Sequence, residues 1–155
     1  MSFYTQMEKE IIMPADVLYM RRTGAYGTEN YALMDRFKEW LHANQMFCED
    51  TVILAVPLDD PNRTETQKCR YDVCVINAEG GKPTSDEVKS RKLDGGSYLV
   101  FRIAHTAGAV QRAWSECFEE LSKHGYSLDP ARPIMERYAQ KLVEHHLCEL
   151  CVPIL

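Results

Sequence analysis

The chain has 155 residues, 18 basic and 23 acidic, for a formal charge of −5. That length supports one real hydrophobic core without help from disulfides or metal, and no Lys/Arg block exceeds Arg21-Arg22, which argues against direct nucleic-acid binding through phosphates. No apolar run approaches ~18 residues and the N-terminus MSFYTQMEKEI lacks the layout of a secretion signal, so a cytosolic protein without a membrane span is expected.

Taken in chain order, Lys9 to Met13 and Val17 to Arg22 read as strands, followed by the tetrapeptide Gly-Ala-Tyr-Gly (24 to 27). A helix from about Thr28 to about Asn44 comes next, its apolar face marked by Leu33, Phe37, Trp40 and Leu41. Thr51 to Val56 and Tyr71 to Ile76 read as strands on either side of a loop, Leu58 to Lys68. Asn77 to Asp94, containing AEGGKPTSDE, reads as a loop joining two halves. Ser97 to Ile103 is a strand. A second helix starts near Ala107 or Gly108, carries Val110, Ala113, Trp114, Cys117, Phe118 and Leu121, and stops at Lys123, His124 and Gly125. Ile134 to Tyr138 and Cys148 to Ile154 complete the set of strands.

The chain repeats itself. An offset of 81 places residues 17 to 40 on 98 to 121, so that Arg21 meets Arg102, Gly27 meets Gly108, Leu33 meets Trp114 and Phe37 meets Phe118. An offset of 77 then brings YDVCVI (71 to 76) onto CELCVP (148 to 153). Each half reads strand, helix, strand, strand. The expected fold is α+β: two pseudo-twofold-related modules, about 5–78 and 95–155, in a single domain, forming one antiparallel sheet with both long helices on one side.

YMRRTGAYG before a helix with FKEWL, then CRYDVCVI, GGSYLVFR with AW on the second helix, PIMERY and terminal ELCVPI together resemble the GyrI-like family, from about Glu8 to Leu155. That family comprises effector-binding domains found alone in DNA gyrase inhibitory proteins and fused to DNA-binding segments in AraC-type and MerR-type regulators. The resemblance implies a stand-alone ligand-binding domain, a cleft between the modules and an acidic residue within it. This sequence has His105 where the first half has Gly24, and Cys151 where an aromatic is common.

Glu136 in PIMERY and Glu149 in CELCVPI are the candidate acids, and alternation alone does not say which of them faces a cleft. Tyr138 follows Glu136 by two and shares its side in a regular strand. Phe37, Phe118 and Trp114 have core spacing, yet Trp114 also belongs with Tyr26, Trp40, Tyr71 and Tyr138 among candidate ligand-binding aromatics. Tyr26 stands out because the second copy has Ala107 in its place and because it occupies a turn. An acid among rings suits a hydrophobic or cationic aromatic compound, bound for sequestration, sensing or detoxification.

Two other readings stay open. Some members of the family hydrolyse cyclopropane-bearing DNA-alkylating natural products, which would make Glu136 the catalytic base and the protein an enzyme. The family name also implies DNA gyrase as a protein partner, although the charge is mild and no acidic tract appears. No cofactor and no metal is expected: HHLCELC (145 to 151) lies in an apolar strand, where residues three apart face opposite sides. The six cysteines mostly occupy apolar positions, as reduced core thiols do, and GAYG lacks the Gly-Lys-Ser/Thr ending of a phosphate loop.

Overall fold

A computed structural model describes residues 2–77 and 85–155. Its elements are β1 (Gln6–Ile12), β2 (Ala15–Thr23), α1 (Thr28–Ala43), β3 (Val52–Pro57), a 3-10 turn (Thr66–Lys68) and β4 (Arg70–Ile76), then β5 (Lys89–Leu93), β6 (Gly96–Ala104), α2 (Ala107–Lys123), β7 (Met135–Ala139), a short α3 (Gln140–Val143) and β8 (Leu147–Pro153). No helix among the described residues is long and apolar enough to cross a membrane.

The eight strands form one antiparallel sheet in the order β1-β6-β8-β7-β3-β4-β2-β5. The order is palindromic about the β3–β7 pair, as expected for a repeated chain. Each half also has an edge strand that crosses to the other half: β1 pairs with β6, and β5 pairs with β2. β5 corrects the expectation of a loop throughout 77 to 94. KSRKL is too polar to read as a strand; at this sheet edge only Leu93 is buried, Arg91 pairs with Asp72, and the two lysines stay in water. The stretch AEGGKPT, 78–84, lies outside the described residues.

Register shows which side chains share a face. Leu18 opposes Val75, Val75 opposes Ile53, Ile53 opposes Tyr138, Glu136 opposes Leu150 and Leu150 opposes Phe101, so all of these point to one side. Both long helices pack there. Leu33, Phe37 and Leu41 of α1 close over Leu18, Met20, Val73 and Val75, while Ala113, Cys117 and Leu121 of α2 close over Leu99, Phe101, Leu150 and Val152. A third cluster, including Val17, Val56, Cys74, Tyr98 and Cys151, fills the other face. The central strands are therefore buried on both sides, which is why VILAV and CELCV read as continuous apolar runs.

The buried stripes also correct the alignment of the two halves. Leu18 and Leu99 are equivalent at an offset of 81, but Leu33, Phe37 and Leu41 match Ala113, Cys117 and Leu121 at an offset of 80. Gly27 precedes α1 whereas Gly108 lies inside the first turn of α2, so these two glycines are not counterparts. Phe118, expected in the core, is 44% exposed, because the stripe of Val110, Trp114 and Phe118 is rotated away from Ala113, Cys117 and Leu121.

Candidate functional site

A cleft of about 1320 Å³ lies on the helix-bearing side of the sheet, between α1 and α2. Its floor follows from register. Ala55 and Glu136 oppose each other across the central β3–β7 pair, at the midpoint of the palindrome. They are also repeat equivalents, since Ala55 faces Val73, Glu136 faces Leu150, and Val73 and Leu150 correspond at the offset of 77. The methyl group in one copy leaves space at the axis for the carboxylate of the other.

Glu136 is held by two donors and, among the described residues, no cation. The Trp114 indole N–H donates to Oε2 at 2.6 Å and the Tyr138 hydroxyl donates to Oε1 at 2.6 Å. Burial pushes the Glu136 carboxyl above the usual range, and these two hydrogen bonds offset part of that rise. The Tyr138 hydroxyl is raised in turn, first by burial and then by the adjacent carboxylate. Tyr71, on β4 beside the floor, is likewise raised mainly by burial.

Of the residues singled out in the sequence, Tyr26, Tyr71, Trp114, Glu136 and Tyr138 line this cleft. Tyr26 contributes its ring, edge-on to Tyr71 with centroids 6.2 Å apart. Its hydroxyl is engaged elsewhere, 2.7 Å from the Arg70 carbonyl and accepting the Asp59 N–H at 3.2 Å, which ties down the β3–β4 loop. The same loop end is clamped by Asp59, whose carboxylate pairs with the Arg70 guanidinium at 2.9 Å.

Trp40 and Glu149 are placed elsewhere. Trp40 stacks on Phe37 at 6.2 Å, on the flank of α1's buried stripe away from the cleft. Glu149 neighbours Leu150, the partner of Glu136, and so points to the opposite face. There Arg137 bonds it at 2.9 Å, with Arg102 at 3.8 Å. Its repeat equivalent Asp72 is fully buried between Arg21 and Arg91. Both acids are structural members of the helix-free face. Cys148 and Cys151 also fall in different clusters on opposite faces, as their spacing requires.

The structure adds cleft residues that the sequence did not disclose: Lys38 and Met34 on α1, His105 before α2, and Phe118 on α2. His105 stands 5.4 Å from the Tyr138 ring. Burial holds its imidazole below the ordinary value, with the positive charge of Lys38 acting in the same direction. The available signal was the offset of 80, which turns 34 and 38 to the cleft as the counterparts of 114 and 118.

A family model described as the GyrI-like small molecule binding domain matches residues 5–155. The chain is 40% identical over 139 residues to YosT, an SPbeta prophage-derived protein of Bacillus subtilis (strain 168) named for transcriptional regulation, covering 89% of this chain and 91% of the relative. It is 27% identical over 143 residues to DNA gyrase inhibitor 2 of Dickeya dadantii (strain 3937), covering 90% and 83%. Among solved structures, the EcmrR C-terminal domain superposes with a TM-score of 0.69 at 12% identity, covering 97% of each chain. In the EcmrR–DNA complex the TM-score is 0.72 at 10% identity, with 96% of this chain matched and 57% of the EcmrR chain spanned. SAV2435 bound to tetraphenylphosphonium matches with a TM-score of 0.58 at 14% identity, covering 97% and 94%.

Proposed function

The chain belongs to the GyrI-like small-molecule binding domain family, and we propose from that premise that it binds hydrophobic aromatic cations in the cleft between α1 and α2. The observation that carries this reading is Glu136, a carboxylate on the cleft floor with two hydrogen-bond donors and, among the described residues, no cation, ringed by Trp114, Tyr138, Tyr71 and Tyr26. A desolvated carboxylate gains most from a ligand that brings its own positive charge, and aromatic faces add cation–π attraction and shape. SAV2435 was solved with such a cation, tetraphenylphosphonium, which supports the ligand class. Sequestration or sensing in the cytosol fits a domain of this kind.

Titration with lipophilic dyes and phosphonium cations tests the proposal through Trp114, whose indole N–H is bonded to Glu136 and whose emission should change on binding. Trp40, packed outside the cleft, supplies a constant background. Binding that survives Glu136→Gln undiminished would sink the assignment of that carboxylate.

A second reading treats Glu136 as a general base toward an electrophilic, strained-ring natural product. Its raised carboxyl and its place in an aromatic cleft support this. Mass spectrometry separates the two readings, because a binder returns its ligand unchanged. Contact with gyrase, suggested by the name of the Dickeya relative, is answered by a supercoiling assay.

A further inference from the structure

The cleft contains a second ionisable cluster, and the reading above does not use it. Lys38 lies one turn after Met34 on the cleft-facing side of α1, and it is half-buried. Among the described residues no carboxylate comes within ion-pairing distance of its ammonium, whereas the other cleft cations each have an acid: Arg63 has Asp60 at 3.9 Å and Arg132 has Asp129 at 2.9 Å. An ammonium on a cleft wall with no carboxylate beside it is available to an anionic group of a ligand. His105 lines the same cleft as Lys38, and its ring stands 5.4 Å from that of Tyr138, which carries the hydroxyl bonded to Glu136. Other charges near the cluster are Asp35, three residues before Lys38 on α1 and exposed, and His146, whose backbone carbonyl accepts the His105 N–H at 2.8 Å.

Glu136, Tyr138, His105 and Lys38 thus line the same cleft, which offers a negative group at one end of this set and N–H donors at the other. We infer that the cleft takes a zwitterion: an aromatic cation whose positive centre meets Glu136 and whose carboxylate or sulfonate, on the same rigid scaffold, is held by Lys38 and a ring N–H of His105. This rests on Glu136 being the partner of the cation. Tyr138 lies between the two ends and offers its ring as a platform for the scaffold. Asp35 disfavours anions in general, so the anionic group is accepted only where it reaches Lys38 and His105 together.

The probes are tetramethylrhodamine with a free benzoate, a zwitterion, and its methyl ester, a cation with the same ring system. Equilibrium titration by fluorescence anisotropy at neutral pH is expected to show the free acid binding about tenfold more tightly than the ester, the size of one partly exposed charged hydrogen bond. A formal charge of −5 on the chain biases unspecific attraction toward the ester, so a preference for the acid cannot come from net charge. Lys38→Met keeps much of the aliphatic stem and removes the ammonium; it should abolish the preference of the acid over the ester. Lys38→Arg, which keeps the charge, should retain the preference. Equal affinities in the wild type, or a preference unchanged in Lys38→Met, overturns the zwitterion inference. If the ester binds through Glu136 under those conditions, the cation reading stands alone, whereas failure of both dyes to bind overturns both.

Discussion

Replacing Glu136 by Gln should weaken binding and strengthen the fold at once, because the same carboxylate controls both. In the free protein its two oxygens receive one donor each, from Trp114 and Tyr138, and no cation among the described residues offsets the loss of water. Gln keeps both contacts: its oxygen accepts the indole N–H, and its amide donates to a Tyr138 hydroxyl that has rotated, so that the hydroxyl proton and the second amide N–H face the open cleft. The substitution therefore removes a poorly solvated charge without leaving a buried polar atom unpaired, and about 1 kcal/mol of stabilisation is expected at neutral pH. For a chain of this size that is a rise of about 3 °C in Tm. Loss of the charge should also weaken a bound aromatic cation by about 2 kcal/mol, or roughly thirtyfold in Kd.

The pH dependence distinguishes this mechanism from a general effect on packing. Because the Glu136 carboxyl is raised in the folded chain, ionising it costs the fold stability; the cost is absent when it is protonated in both states and grows as pH rises from the ordinary carboxylate range through the folded value. The Tm gap between Gln and wild type should thus be widest at neutral pH and close toward about pH 4. Glu10, Asp59, Glu120 and Asp129 are held below the usual range by their hydrogen bonds, chiefly to Arg137, Arg70, Tyr4 and the Ala131 backbone respectively, and destabilise both proteins equally in acid. Calorimetry of the two proteins across pH is the assay. A Gln variant that melts with or below the wild type at neutral pH, or a gap that stays constant on acidification, refutes the reasoning.

Three further outcomes are expected. Asp72→Ala, which strands Arg21 and Arg91 on the helix-free face, should cost about 3 kcal/mol and lower Tm by roughly 8 °C in a thermal melt. In the native protein Ellman's reagent should find one fast thiol, the exposed Cys48: Cys69 is buried, and burial pushes Cys74, Cys117, Cys148 and Cys151 up to about 12. A second fast thiol would contradict the packing. Tyr26→Phe removes the hydroxyl that ties the β3–β4 loop, so amide exchange across residues 58–69 should quicken by about tenfold while dye affinity, which depends on the ring, moves by less than about threefold.

Both long helices and most strands were legible because they obey a period: Leu33, Phe37 and Leu41 recur at helical spacing, and Glu136 and Tyr138 at strand spacing, whereas the polar β5 and the one-turn α3 carry no such pattern. The acid that faces the cleft was not. Glu136 and Glu149 both sit among apolar neighbours, and only the pairing of Glu136 with Leu150 shows that one lies beneath the helices while the other meets Arg137 on the far side. Pairing across strands is a long-range fact that alternation along one strand does not contain. Trp40 misled for a related reason. Its aromatic character suited a ligand site, but helical geometry puts it on the flank of the core stripe away from Met34 and Lys38.

The one-residue change in offset between strands and helices has a chemical consequence at the cleft. Aligned on the buried stripes, Met34 corresponds to Trp114 and Lys38 to Phe118, while on the floor Ala55 corresponds to Glu136. The two halves agree where they pack: Leu33, Phe37 and Leu41 are matched by Ala113, Cys117 and Leu121 in burial. They disagree where they face the cleft, one wall carrying a lysine and a methionine and the other an indole and a phenyl ring. A strictly symmetric chain would place like groups on both walls, and a carboxylate at the axis would then face a second carboxylate where Ala55 now stands, raising the cost of ionising either. Divergence at these positions leaves one acid on the floor at the axis, an indole and a phenyl ring on one wall, and a methionine and a lysine on the other, so the cleft is asymmetric although its scaffold is twofold.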